Sequence, residues 1–145
     1  MKEEYVTYEQ AVKLKELGFA EKVNHAYLKK ISIEPELSVG DLKEVHSKDP
    51  KNYNDNRKGA GKGLFFYSAP RLDQAQKWLI DTKKLHVLPH LENVNKPDYV
   101  CIITLMRKEC MRITDNGRYF SAYELALSAG IDAALELLTD KLNGK

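Results

Sequence analysis

The sequence predicts an α+β fold: an antiparallel sheet of three to five strands, with about three helices packed mainly on one face. Two observations predict it. A helix-start signal followed by an alanine-rich apolar stripe occurs at Thr7–Phe19, Ser68–Leu85 and Ser121–Leu142. Between these segments lie short runs of β-branched and aromatic residues, which favour strands. Each element must bury its apolar side against another, so helices are expected to cover one sheet face.

The first helix is predicted to begin after Thr7 and to end before Gly18. Thr7 and Gln10 have the spacing of a capping box, in which each side chain bonds to the backbone N–H of the other residue. Glycine commonly ends a helix in the left-handed conformation, so Gly18 marks the end. Phe19 is then placed to fold back on Leu14, the apolar contact that accompanies such an end.

The middle of the chain predicts a strand over 23–33, a strand at Leu64–Tyr67 and a helix over Leu72–Lys84 whose buried side includes Trp78. Between the two strands, the segment 41–63 is rich in Asn, Asp and Lys and has three glycines among its last five residues. This composition is typical of loops and insertions. We therefore expect 41–63 to be a flexible basic loop.

The last third predicts strands followed by a helix. His86–Leu91 contains Pro89, which cannot donate to a ladder and so places this strand near a sheet edge. Tyr99–Met106 is almost entirely apolar and predicts a central strand. Asp115–Gly117 is a strong turn signal.

The final helix is predicted from about Ala122 to Leu142, opened by a second capping box at Ser121 and Glu124. Small residues on its inner face would let it lie close to the sheet, at Ala126, Gly130 and Ala134. The helix also carries leucines that cannot all lie on this inner face, at Leu125, Leu135, Leu137 and Leu142. These are exposed, covered by the 41–63 segment or buried in a partner subunit, so a homodimer is one expected state.

The length and composition of the chain are typical of one globular domain, which we expect to span residues 1–145. Of these residues, 43% are hydrophobic and 30% charged, and the net charge is only +2. That balance argues against a dedicated DNA-coating protein. No apolar run approaches the roughly 18–20 residues that cross a membrane, and the charged N-terminus lacks a secretory signal.

The two cysteines are too few for a disulfide framework and favour reduced thiols in the cytoplasm. A Cys101–Cys110 bridge is the alternative.

No motif in the sequence assigns chemistry. In a strand, His86 and His90 would be roughly 13 Å apart, which is too far for one metal ion. Lys58–Gly63 has the composition of a phosphate loop but lacks its spacing. The sequence therefore assigns no catalytic, cofactor-binding or metal-ligating residue, and no cofactor.

One surface is nevertheless singled out by its charge, the basic part of the 41–63 segment. Its cations are candidates for contact with an anion or a nucleic acid, because phosphates are bound chiefly by Lys and Arg. The candidate residues are Lys48, Lys51, Arg57, Lys58 and Lys62.

Three stretches, Thr7–Phe19, Tyr67–Leu79 and Tyr123–Leu135, carry a family resemblance. Together they resemble a family of small uncharacterised proteins of gut Bacteroides-type bacteria and their phages and prophages. The resemblance implies a mobile-element accessory protein in the cytoplasm of a bacterial host, without implying an activity or a cofactor. Arg71 departs from the small hydroxyl residue expected before Leu72, which weakens the predicted helix start there.

The leading expectation is a non-enzymatic cytoplasmic accessory or binding protein of phage or mobile-element origin. Its ligand would be a protein partner or a second copy of itself, and no membrane partner is expected. The first alternative is a weak nucleic-acid-binding module that uses the basic 48–62 loop. The second is a small enzyme whose cleft is not visible in the sequence.

Overall fold

The computed structural model describes residues 4–30, 41–55, 64–93, 95–105 and 109–142. This part of the chain contains three helices and two three-stranded antiparallel sheets, which confirms the α+β class. The chain divides into a smaller unit, Thr7–Pro70, and a larger unit, Met1–Val6 with Arg71–Lys145. The expected single sheet is thus replaced by two, because each sheet has a central strand whose two sides are already paired within its own unit.

The smaller unit contains helix α1 (Tyr8–Glu16) and strands β1 (Val23–Lys30), β2 (Asp41–Lys51) and β3 (Leu64–Ser68). The strand order is β2-β1-β3, and both pairings are antiparallel. β1 is therefore the central strand, while β2 and β3 form the edges. Helix α1 packs on the sheet along β3.

Both ends of α1 confirm the prediction. The Thr7 N–H donates to Gln10 Oε1 at 2.9 Å, and the Gln10 N–H donates to Thr7 Oγ1 at 3.2 Å. At the other end, Gly18 has a φ of 96° and the Phe19 N–H donates to the Leu14 carbonyl at 2.9 Å. These are the bonds of a capping box and of a glycine-terminated helix end.

The prediction of a loop over 41–63 was wrong for its first eleven residues, which form β2. As an edge strand, β2 needs only backbone pairing with β1, so its polar sequence is no obstacle. Most of its described side chains are exposed, with Val45 and Ser47 half-buried. Residues 56–63 lie outside the described part of the chain.

The larger unit contains α2 (Leu72–Lys83), β4 (Leu85–Asn93), β5 (Asp98–Leu105), β6 (Glu109–Ile113) and α3 (Tyr123–Leu142). Its sheet has the order β4-β5-β6, which confirms an edge strand around Pro89 and a central strand after it. Helix α3 packs on β4 and β5, and α2 packs on β4 and α3.

The turn between β6 and α3 also has the predicted chemistry. Asn116 and Gly117 both have positive φ, 51° and 85°. Asp115 and Arg118 exchange backbone hydrogen bonds of 2.9 and 3.0 Å. Two successive residues at positive φ define the type I′ turn that an Asn-Gly pair favours.

For the helices of the larger unit, the predictions for Trp78 and Arg71 are confirmed, whereas the predicted start of the last helix is wrong by one residue. Trp78 is buried at 5% exposure, and Arg71 at the N-cap of α2 makes no capping bond with its side chain. Helix α3 begins at Tyr123, so the residue before its first turn is Ala122 and not Ser121. Leu135 is fully buried, and Leu125 is 54% exposed.

Candidate metal centre

Three potential metal ligands converge on one face of the β1–β2 pair. His25 lies on β1, directly opposite His46 on β2. Glu44 lies two residues before His46, and side chains two apart in a strand point to the same face. One ligand atom from each residue lies within 4.8 Å of the other two. Within the described ranges, no other three His, Cys, Asp or Glu side chains come this close.

A bulge in β2 lies immediately beside this cluster. The pairing His25–His46 is followed by Val23–Lys51, so two steps along β1 correspond to five along β2. Pro50 lies within the extra residues and has no N–H for a ladder. Bulges bend a strand, increase its twist and redirect side chains, and they are over-represented beside functional sites.

The bulge is held by side-chain hydrogen bonds. The Asn24 amide donates to the carbonyls of Ser47 and Lys48 at 3.0 and 3.1 Å. The Ser47 hydroxyl donates to the Asp49 carbonyl at 2.7 Å. The backbone that follows His46 therefore has defined partners although β2 is an edge strand.

The three ligands differ in exposure. The side chain of His25 is only 2% exposed, whereas that of Glu44 is 62% exposed and His46 is also exposed. His25 Nε2 lies 3.7 Å from Glu44 Oε1. The imidazoles of His25 and His46 stack, with their ring centroids 4.4 Å apart and their planes at 26°. One ligand is thus fixed by burial, and two can rotate.

Burial also sets the protonation of His25. It lowers the pKa of this imidazole below its ordinary value of 6.5, and the neighbouring His46 lowers it further, while Glu44 acts in the opposite direction. His25 is therefore neutral at neutral pH. A neutral imidazole is the form that binds a metal ion, so no proton has to be displaced from this ligand.

The arrangement fits a small divalent ion after limited side-chain rotation. Around one tetrahedral Zn²⁺, bonds of about 2.0–2.1 Å place ligand atoms about 3.3–3.5 Å apart. The His25–Glu44 distance of 3.7 Å is near this value. The three ligand atoms lie within 4.8 Å of one another, so Glu44 and His46 need to rotate only slightly to reach tetrahedral distances. Both side chains are exposed, so the neighbouring residues do not oppose this rotation.

Three tyrosines of the smaller unit lie next to the cluster on the same sheet face. Tyr27 is paired with Glu44 across β1 and β2, and its ring meets the His25 ring edge-on at 5.3 Å. Tyr8 from α1 packs edge-on against Tyr27 and Tyr67, at 5.9 and 5.5 Å. Burial, followed by the charge of Glu44, raises the pKa of Tyr27, so its phenol stays protonated.

The side chains of two lysines lie against the rings of these tyrosines. Lys15 Nζ donates to the Phe66 carbonyl at 3.0 Å and lies 4.8 Å from the centre of the Tyr67 ring. Burial lowers the pKa of Lys15 below its ordinary value. Lys29 Nζ lies 5.5 Å from the centre of the Tyr8 ring. The face beside the cluster therefore combines aromatic rings with positive charge.

The structure describes two of the five cations that the sequence singles out as candidates for contact with an anion. Lys48 and Lys51 are exposed on β2, in the bulge and at the strand end. Arg57, Lys58 and Lys62 lie outside the described residues, so the structure does not show the five cations together. His86 and His90 are exposed on strand β4, which confirms the strand predicted for them.

No metal ligand is predicted from the sequence, so this cluster is a feature that only the structure shows. The available signal was Glu44 and His46 two residues apart, a spacing that shares one face only in a strand. In a loop, which is the prediction for 41–63, a spacing of two residues does not place Glu44 and His46 on the same face. The position of His25 opposite His46 depends on strand register, which spacing alone does not provide.

Comparison with known protein families, with curated proteins and with solved structures finds no match for this chain. Within the described residues, the helices are too short or too polar to cross a membrane. The convergence of His25, Glu44 and His46 is therefore the observation from which a function can be inferred.

Proposed function

We propose that this protein binds a divalent transition-metal ion of the Zn²⁺ class through His25, Glu44 and His46. The observation that carries the proposal is the approach of three ligand atoms to within 4.8 Å of one another. Two imidazoles and a carboxylate form a ligand set that suits zinc and its neighbours. Magnesium and calcium prefer sites made only of oxygen, so the two histidines disfavour them.

The secondary structure supports the proposal because it places the backbones of the three ligand residues together on one sheet face before any ion arrives. Backbone pairing keeps His25 and His46 opposite each other, and burial keeps the His25 imidazole oriented and neutral. With the backbone and one of the three side chains already fixed, less conformational entropy is lost on binding. Since the unfolded chain cannot present the same geometry, the bound ion would also stabilise the folded smaller unit.

Metal binding is compatible with the accessory role expected from the sequence. The phage-related origin, the cytoplasm of a bacterial host, a protein partner and a homodimer all stay predictions. Nucleic-acid binding through the basic segment also stays a prediction. The structure describes two of those candidate cations, Lys48 and Lys51. Strand β2, on which they lie, also carries the carboxylates of Glu44 and Asp49, so it is not a uniformly basic surface.

The test is a competition titration of the metal-free full chain with Zn²⁺ against a chromophoric chelator. We expect one ion to bind per chain, and we expect His46→Ala to weaken binding at least tenfold. His46 is exposed, so its replacement should leave the fold intact. The matched control is His90→Ala, which removes another exposed strand histidine outside the cluster. Equal affinities of the wild type and His46→Ala would contradict the proposal.

A further inference from the structure

Three protein ligands do not fill the coordination sphere of a divalent transition metal. Zinc sites with three protein ligands keep a further position for water or an exogenous ligand, whereas structural sites are closed by a fourth side chain. No fourth His, Cys, Asp or Glu joins the cluster in the part of the chain that the structure describes. An ion held by these three residues alone would keep at least one position for another ligand.

The exposure of the ligands shows on which side that position lies. His25 closes the inner side, because its side chain is 2% exposed. Glu44, at 62% exposure, and the exposed His46 lie on the outer side. Solvent and small solutes can therefore approach the cluster from the side of Glu44 and His46.

The charge of the loaded site favours an anion there. Two neutral imidazoles and one carboxylate leave a divalent ion with one net positive charge. Lys29, two residues beyond Tyr27 on the same face of β1, adds another positive charge to this face of the sheet. Opposite charges attract more strongly at a partly buried site than in bulk water.

Tyr27 can supply a hydrogen bond to such an anion. It is the cross-strand partner of Glu44, and side chains in such pairs have Cβ atoms about 4.5–5.5 Å apart. Its ring makes edge-on contacts with the rings of His25 and Tyr8. A protonated phenol donates its O–H, so the Tyr27 hydroxyl can donate a hydrogen bond to an oxyanion.

We propose that the ion held by His25, Glu44 and His46 binds a small oxyanion, a carboxylate or a phosphate group, with the Tyr27 hydroxyl as a second contact. This inference rests on the proposed metal binding and specifies what the bound ion presents to solvent. The chemistry shared by the two groups is an anionic oxygen. Which of them binds more tightly is a separate outcome of the experiment.

The experiment uses Co²⁺ in place of Zn²⁺, because the visible absorption of Co²⁺ reports its coordination. Co²⁺ is first added to the metal-free full chain, to His46→Ala and to the control His90→Ala. Acetate and inorganic phosphate are then titrated separately into the Co²⁺-loaded protein at constant ionic strength. We expect a saturable change in the cobalt spectrum with at least one of the two anions.

Tyr27→Phe isolates the second contact, because it keeps the ring packing and removes only the hydroxyl. We expect this variant to bind Co²⁺ within twofold of the wild type and the anion roughly tenfold more weakly, the usual effect of losing a hydrogen bond to a charged group. Tyr67→Phe is the matched control, because Tyr67 pairs with Tyr27 on the side of β1 away from Glu44.

The outcomes separate the two proposals. If Co²⁺ does not bind, metal binding itself fails. If Co²⁺ binds but neither anion changes its spectrum, the site is closed and the oxyanion proposal is overturned. A spectrum that depends on protein concentration would mean that a second copy supplies the further ligand, which also overturns it. Equal anion affinity in Tyr27→Phe and the wild type would remove Tyr27 from the site.

Discussion

His25 and His46 face each other across β1 and β2 with their imidazoles stacked, the ring centroids 4.4 Å apart and the planes at 26°. One of these rings is buried in the smaller unit and the other is exposed on its edge strand. The pair therefore joins a ligand whose orientation is fixed to one that can turn. This difference between the two histidines determines how each should respond to substitution and to pH.

The first prediction concerns the pH dependence of stability in the metal-free protein. Burial lowers the folded-state pKa of His25 below the value of 6.5 that it has in the unfolded chain. Between the two pKa values the unfolded chain holds more protons, so the free energy of unfolding rises with pH. The stabilisation is therefore complete above about pH 6.5 and is lost as the pH falls towards the folded-state pKa.

Urea unfolding in the presence of a chelator, at several pH values between about 8 and 5, measures this dependence. Carboxylates also titrate in acid, so the informative quantity is the difference between the wild type and His25→Phe, which keeps an aromatic ring in the same place. We expect a smaller loss of stability on acidification in the variant. Parallel pH profiles for the two proteins would show that His25 does not contribute.

The second prediction concerns Gly130 of α3, which lies against β4 and β5. A Cβ atom at this position would overlap Cys101 Sγ and lie 2.7 Å from Val87 Cγ1. Gly130→Ala should therefore destabilise the protein by about 1–3 kcal/mol, the usual cost of overpacking. The change would occur despite the better helix propensity of alanine, which favours the variant by about 1 kcal/mol.

Urea unfolding of Gly130→Ala and of the double variant Gly130→Ala/Cys101→Ala tests this contact. Removing the sulfur makes room for the new methyl group, so the two substitutions should not be additive. We expect the double variant to be more stable than the sum of the single effects predicts. A Gly130→Ala protein more stable than the wild type would show that the helix does not lie this close to the sheet.

The third prediction concerns the reactivity of Cys101. Burial raises the pKa of this thiol to about 12, so almost none of it is thiolate at neutral pH. Because the thiolate is the reactive form, Cys101 should be inert in the folded protein. Cys110→Ser leaves Cys101 as the only thiol, since the chain has two cysteines. We expect an aromatic disulfide reagent to label this variant in urea and not in buffer, and rapid labelling in buffer would contradict the burial.

The fourth prediction concerns Trp78, which is 5% exposed in the larger unit. Trp78→Ala should lower the free energy of unfolding by about 3–5 kcal/mol, the usual cost of removing a large buried aromatic side chain. Tyr119 is the control because it is 48% exposed, and Tyr119→Ala should change stability by less than about 0.5 kcal/mol. Similar effects of the two substitutions in urea unfolding would refute the assignment of Trp78 to the core.

The features that sequence analysis predicted correctly depend on residues close together in the chain. The capping box of Thr7 and Gln10 and the helix end at Gly18 are made by groups within a few residues of each other. The positive φ angles of Asn116 and Gly117 likewise follow from the preferences of these two residues. Such local chemistry is specified by residue type and spacing before any tertiary contact forms.

The candidate metal site was decided only by the tertiary structure. The distance along the chain between His25 and His46 says nothing about their proximity, which comes from the register of β1 against β2. A slip of one residue in that register would send His46 and Glu44 to the opposite face of the sheet. The register in turn depends on backbone pairing and on the bulge that Asn24 holds by two hydrogen bonds. Neither feature produces a periodic pattern of apolar residues in the sequence of a polar edge strand.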